Sequence, residues 1–148
     1  MATKRNNTIK LKFDSARNLA PAPESKSAAK IDSQYDLFIN GKMEKPLSKK
    51  HFATINPATE EKLSMIAEAN GADVNKAVTA ARNAYDKTWK KMAPAERAKY
   101  IYRIARMIQE RAREFAIIET LDGGKPIRES RDFDVPTAAN HFFYYAGW

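Results

Sequence analysis

The aromatic run His141-Phe142-Phe143-Tyr144-Tyr145, with Trp148 three residues on, constrains the fold more than any other segment. Successive residues of a helix are rotated by about 100°, so these rings point around most of the circumference. A helix that is apolar on several sides must be covered on several sides. A chain of 148 residues offers little protein for that cover, so the pattern predicts a further domain, subunit or partner. The same rings could form a base-stacking platform for nucleic acid. Missing cover is the favoured reading.

The residues upstream divide into three parts. Residues 1–34 are rich in Lys, Ser, Ala and Asn, with Pro21 and Pro23 and no sustained period. They are expected to be a disordered or loosely docked basic leader. Residues 35–69 read as strands. Leu37-Phe38-Ile39 runs into Asn40-Gly41, a strong hairpin signal because both residues tolerate the positive φ of a type I′ turn. Phe52-Ala53-Thr54-Ile55 is a second strand, stopped by Asn56-Pro57. In a third, Leu63, Met65 and Ala67 alternate with polar Ser64 and Glu68.

The rest reads as helix. Asn70 with Asp73 forms a capping-box-like pair, and Val74, Ala77, Val78, Ala81 and Tyr85 then share one face. Pro94 opens a second helix behind Ala93, a poor cap. Its stripe is Ala98, Ile101, Ala105, Ile108 and Ala112, and it continues through Phe115 and Ile118 with a break expected near Arg111. Gly123-Gly124 is a C-cap pair. Pro126 starts a short third helix. Asp132 or Asp134 is expected to cap a fourth, with Pro136 in its first turn and the aromatic run behind it. No stretch of about 18 apolar residues exists, so no membrane span is expected, and no secretory signal opens the chain.

Few of these residues point to chemistry. There is no cysteine, hence no thiolate nucleophile, disulfide or thiolate metal site. Gly123-Gly124-Lys125 lacks the rest of a phosphate loop, and no GxGxxG occurs, so neither catalytic nor cofactor-binding residues are assigned. Asp122, Glu129, Asp132 and Asp134 cluster around helix ends, where acids ordinarily serve as caps or solvated surface. His51 and His141 stand alone; His141 is expected to be half-buried packing. The net charge of +8 is concentrated in residues 1–50, which carry +6, so it reads as a solvated tail and not as a nucleic-acid surface.

Six phrases, in order, carry a family resemblance. They are Leu37-Phe-Ile-Asn-Gly-Lys, Thr54-Ile-Asn-Pro-Ala-Thr, Ala72-Asp-Val with Lys76-Ala-Val, Pro94-Ala-Glu-Arg, Glu119-Thr-Leu-Asp-Gly-Gly-Lys-Pro, and Tyr144-Tyr-Ala-Gly-Trp. From Tyr35 to Trp148 the chain resembles the N-terminal portion of the aldehyde dehydrogenase superfamily; residues 1–34 lie outside the match. The resemblance implies an α/β parent fold, of which these residues form a mainly α-helical part with a short N-terminal β-hairpin and strand region. It implies that 35–148 is the front of a cofactor-binding domain, truncated at Trp148. It implies oxidation of an aldehyde to a carboxylic acid with NAD or NADP, in a cytoplasmic homo-oligomer without nucleic-acid or membrane partners. The cysteine nucleophile, the glutamate that activates water and the cofactor loops would all follow Trp148. One feature carries onto this chain: a structural monovalent cation held between the backbone of Thr54 and Ile55 and the carboxylate of Asp122. Gly123, where Asn or Thr is frequent, and Ala93, where Ser or Thr is, depart from the family pattern.

The 148 residues alone are therefore expected to be inactive. The alternative is a stand-alone helical interaction module with a basic tail that could bind nucleic acid.

Overall fold

The computed structural model describes residues 26–148, the side chains from Ser27 onward; residues 1–25, most of the expected leader, lie outside the described part. Five short strands precede five helices. The strands are β1 (Gln34–Tyr35), β2 (Leu37–Ile39), β3 (Lys42–Glu44), β4 (His51–Ile55) and β5 (Lys62–Ala67). The helices are α1 (Gly71–Lys87), α2 (Pro94–Glu110), α3 (Ala112–Gly123), α4 (Ile127–Glu129) and α5 (Val135–Ala146). The chain is thus mainly helical behind a strand region, as expected.

The strands form two sheets. β2 and β3 are the expected hairpin: Asn40 at φ 52° and Gly41 at φ 77° close it, with Ile39 opposite Lys42. β4 and β5 pair antiparallel, and β1 adds to the other side of β5 in parallel, giving the order β1-β5-β4. The β1 pairing was not foreseen. It begins before the expected boundary at residue 35: the Ser33 carbonyl accepts from Met65 N at 3.0 Å, and Gln34 lies opposite Met65. Being central, β5 is covered more fully than alternation alone implies. Ser64, read as an outward polar residue, is buried, and its hydroxyl donates to the Asp32 carbonyl at 2.7 Å. That bond satisfies the buried hydroxyl.

Helix α1 begins with the full capping box. The Asn70 side chain accepts from Ala72 N and Asp73 N, and the Asp73 carboxylate accepts from Asn70 N at 3.0 Å. Asp73 is also the one buried residue of this helix, and it accepts from Leu47 N at 3.1 Å, tying the loop after β3 to the helix start. The apolar stripe foreseen on α1 is mostly uncovered: Val74, Val78 and Tyr85 are all exposed.

Pro94 opens α2, and Ala93 makes no side-chain cap bond. The Ala93 carbonyl accepts from Glu96 N and Arg97 N, while the Arg97 guanidinium donates to the Met92 carbonyl. Every residue of the stripe foreseen on α2 is shielded: Ala105 is buried, and Ala98, Ile101, Ile108 and Ala112 are partly so. The helix breaks at Arg111, as the pattern predicts. α2 packs chiefly on α5, where Ala105 and Ala139 are almost fully buried and Tyr102 meets Phe143 edge-on at 4.9 Å. Small residues at the crossing let the two backbones approach while the ring pair adds a directed contact.

The last segment corrects an expectation. Residues 127–146 form one helical run and not two separately capped helices. α4 passes through a π turn at Ser130–Asp134 into α5, with Val135 N–H bonded to the Ser130 carbonyl. Neither aspartate caps. Asp134 has helical φ and ψ and pairs with Lys125; Asp132 pairs with Arg131 at 2.6 Å. Pro136 explains the irregularity. It has no N–H to offer, and its ring would press on the carbonyl four residues back in a regular α-helix. The wider turn just before it relieves that contact.

Candidate functional site at the strand–helix junction

Two of the three residues that the resemblance implies as cation ligands, Thr54 and Asp122, meet where the β4 end joins the α3 end. Asn56 stops β4 with local bonds. Its buried side-chain oxygen accepts from Ala58 N at 2.9 Å, and its carbonyl accepts from Thr59 N and Glu60 N. This Asx-type turn turns Pro57 toward the helix end. On the other side, Gly124 caps α3 in the left-handed region at φ 70°, its N–H donating to the Thr120 carbonyl at 3.0 Å. The two turns interlock. A Cβ on Gly124 would lie only 2.6 Å from Pro57 Cγ, so glycine is required both by its φ and by the approach of the proline ring. Gly123 has open space at the same position.

This interlock brings Thr54 and Asp122 together, though 68 residues separate them: the Thr54 hydroxyl donates to Asp122 Oδ1. The β4–β5 register shifts between Thr54 and Ile55, so the ladder is irregular at the two residues whose backbone the resemblance singles out. The Ile55 side chain is half exposed. Carbonyl oxygens, a hydroxyl and a carboxylate are hard ligands, suited to an alkali or alkaline-earth cation. Among the described residues, no three His, Asp or Glu side chains group closely enough to hold a metal by themselves.

The remaining acids do not join this site. Asp134 is held by Lys125 and Asp132 by Arg131, on the far side of the Gly-Gly turn. The Lys125–Asp134 hydrogen bond holds the Lys125 ammonium above its ordinary value, and Arg131 holds the Asp132 carboxyl below its own. A bidentate pair marks the α2–α3 break, where the hydrogen bond from Arg111 lowers the Glu114 carboxyl. These are charge-assisted structural pairings, one at the α2–α3 break and two involving the π turn between α4 and α5.

The two histidines differ from the expectation in opposite ways. His51 has a partner: its Nε2 lies 2.8 Å from Asp36 Oδ1 with both side chains mostly covered, and that bond holds the Asp36 carboxyl below the usual carboxylate range. Asp36 is the single residue between β1 and β2, so the pair fastens the joint between the two sheets. His141, expected to be half-buried, is exposed on α5. The aromatic run keeps much of its surface open: Tyr144, Tyr145 and Trp148 are 58%, 63% and 86% exposed. None of the described helices is long and apolar enough to cross a membrane.

Sequence reasoning alone did not find the Pro57–Gly124 contact or the Lys125–Asp134 and His51–Asp36 pairs. The only signal for the first was that a proline and a double glycine each end a regular element; which turns meet is decided by packing.

Comparison with known proteins identifies relatives of this chain. Residues 44–148 match the model of the aldehyde dehydrogenase family. The chain is 48% identical over 113 residues to the Bacillus subtilis (strain 168) protein named "Putative aldehyde dehydrogenase DhaS", covering 76% of this chain and 23% of that one. It is 40% identical over 117 residues to the mitochondrial aldehyde dehydrogenase family 2 member B4 of Arabidopsis thaliana, covering 78% of this chain and 22% of that protein. Its fold superposes with a TM-score of 0.77 on the aldehyde dehydrogenase of Bacillus cereus solved in complex with NAD+, at 40% identity, covering 80% of this chain and 24% of the other. The chain therefore spans less than a quarter of the length of the relatives it matches. With the family model matching residues 44–148 and these relatives at 40–48% identity, the chain belongs to the aldehyde dehydrogenase family.

Proposed function

We propose that residues 35–148 form the front of the cofactor-binding domain of an NAD(P)-dependent aldehyde dehydrogenase, in which the whole enzyme oxidises an aldehyde to a carboxylic acid. The observation that carries this reading is the superposition on the NAD+-bound Bacillus cereus enzyme at 40% identity. The alternative of a stand-alone interaction module has no comparable support. The work of these residues is packing and positioning. Such oxidation needs a nucleophile and a nicotinamide site, and this chain holds neither a cysteine nor a dinucleotide fingerprint. No dinucleotide contact and no chemical step is assigned to the residues of this chain. The whole enzyme is read as a cytoplasmic homo-oligomer, following the resemblance.

A chimera tests this. Residues 35–148 would replace the matching segment of the Bacillus cereus enzyme. NADH formation from simple aldehydes is expected from the chimera and not from the 148-residue chain. A chimera that folds and binds NAD+ yet turns over no aldehyde would overturn the reading, as would turnover by the 148 residues alone.

Thr54, Ile55 and Asp122 are read as the part of a monovalent-cation site that this chain contributes, with the backbone of the first two and the carboxylate of the third as ligands. The meeting of Thr54 and Asp122 at an irregular point of the ladder supports it. In the chimera, Na+ or K+ is expected to raise Tm above that in choline at equal ionic strength, and Asp122→Ala to abolish the difference. Equal Tm in all three salts for the unsubstituted chimera would refute the site.

A further inference from the structure

We draw no further inference here: the strongest candidate, the amphipathic crevice of about 730 Å³ between the β1-β5-β4 sheet and α3, lined by Tyr35, Phe52, Leu63, Ile66, Arg111 and Ile118, has the charged groups that reach it already engaged as Lys30–Asp32, Arg111–Glu114 and Thr54–Asp122, and nothing in the structure shows what covers its apolar floor.

Discussion

Gly124 is the residue on which the junction turns. Its φ of 70° lies where a side chain is disfavoured, and the nearest atom to an added Cβ belongs to a ring locked between Asn56 and the following turn. Gly124→Ala is expected to cost roughly 1–3 kcal/mol, the sum of a left-handed backbone and a displaced proline. Gly123→Ala, one residue earlier in ordinary helical space, should be neutral or slightly stabilising, because alanine is the better helix former. Urea denaturation of both variants checks the contrast, and equal losses would contradict both the backbone strain and the Pro57 contact at Gly124. Part of this was legible in the sequence. A double glycine after a helical stripe announces a C-cap, and the cap falls where it should. That the proline of a strand-ending turn would press on the second glycine was not legible, since the two are brought together by tertiary packing and no local preference encodes it.

At the scale of elements, local grammar succeeded where each signal was self-contained. The Asn-Gly hairpin, the Asn70–Asp73 capping box, the break at Arg111 and the α2 stripe all follow from bonds or periodicity within a few residues. It failed where neighbours decide. Ser64 looks polar and outward, but a strand central in its sheet has no free edge and little free face. Asp132 and Asp134 look like caps, but Lys125 and Arg131 are closer partners and the helix runs on through them. Asp73 shows how one residue can link elements. Its carboxylate is buried and accepts backbone N–H groups from both Asn70 and Leu47. Asp73→Ala should cost about 2–4 kcal/mol, since it removes a capping contact and strands donors beside a buried site. Asn70→Ala, which removes only the exposed half of the box, should cost about 1 kcal/mol. Hydrogen exchange at Leu47 offers an independent readout: faster exchange is expected for Asp73→Ala and little change for Asn70→Ala. Comparable exchange in the two would mean that Asp73 does not hold the loop.

The described residues are poorly covered. Among them the buried apolar residues are Ile39, Ala67, Ala105, Ala116, Ile117, Val135 and Ala139, four of them alanines, whereas Val74, Val78, Tyr100, Ile104, Met107, Phe133 and Trp148 are among many large side chains left exposed. Each apolar side chain that stays in water forgoes roughly 1.5–3 kcal/mol of burial. A few such losses equal the whole stability of a small domain. The 148-residue chain is therefore expected to self-associate or to bind hydrophobic dyes strongly, and grafting into the full-length relative should relieve both. A monodisperse monomer in sedimentation, with a cooperative thermal transition and no dye binding, would contradict this. The aromatic run foretold the shortage of cover. The exposure of α1 was not foretold, because a regular stripe reports which face is apolar and not whether anything faces it.

The π turn at Ser130–Asp134 has a consequence for how the last helix can be altered. Such a turn holds one residue more than the α-helical turn it replaces. Residues on either side are thus out of phase with a single 3.6-residue count, and a helical wheel drawn from Ile127 through Ala146 misassigns the faces beyond Val135. Deleting one residue between 130 and 134 would restore the count without rotating either flanking segment. It would also return the carbonyl four positions back to the ring of Pro136, so the deletion is expected to kink the helix or cost about 3 kcal/mol while the proline remains, and to be tolerated better when Pro136 is replaced by alanine.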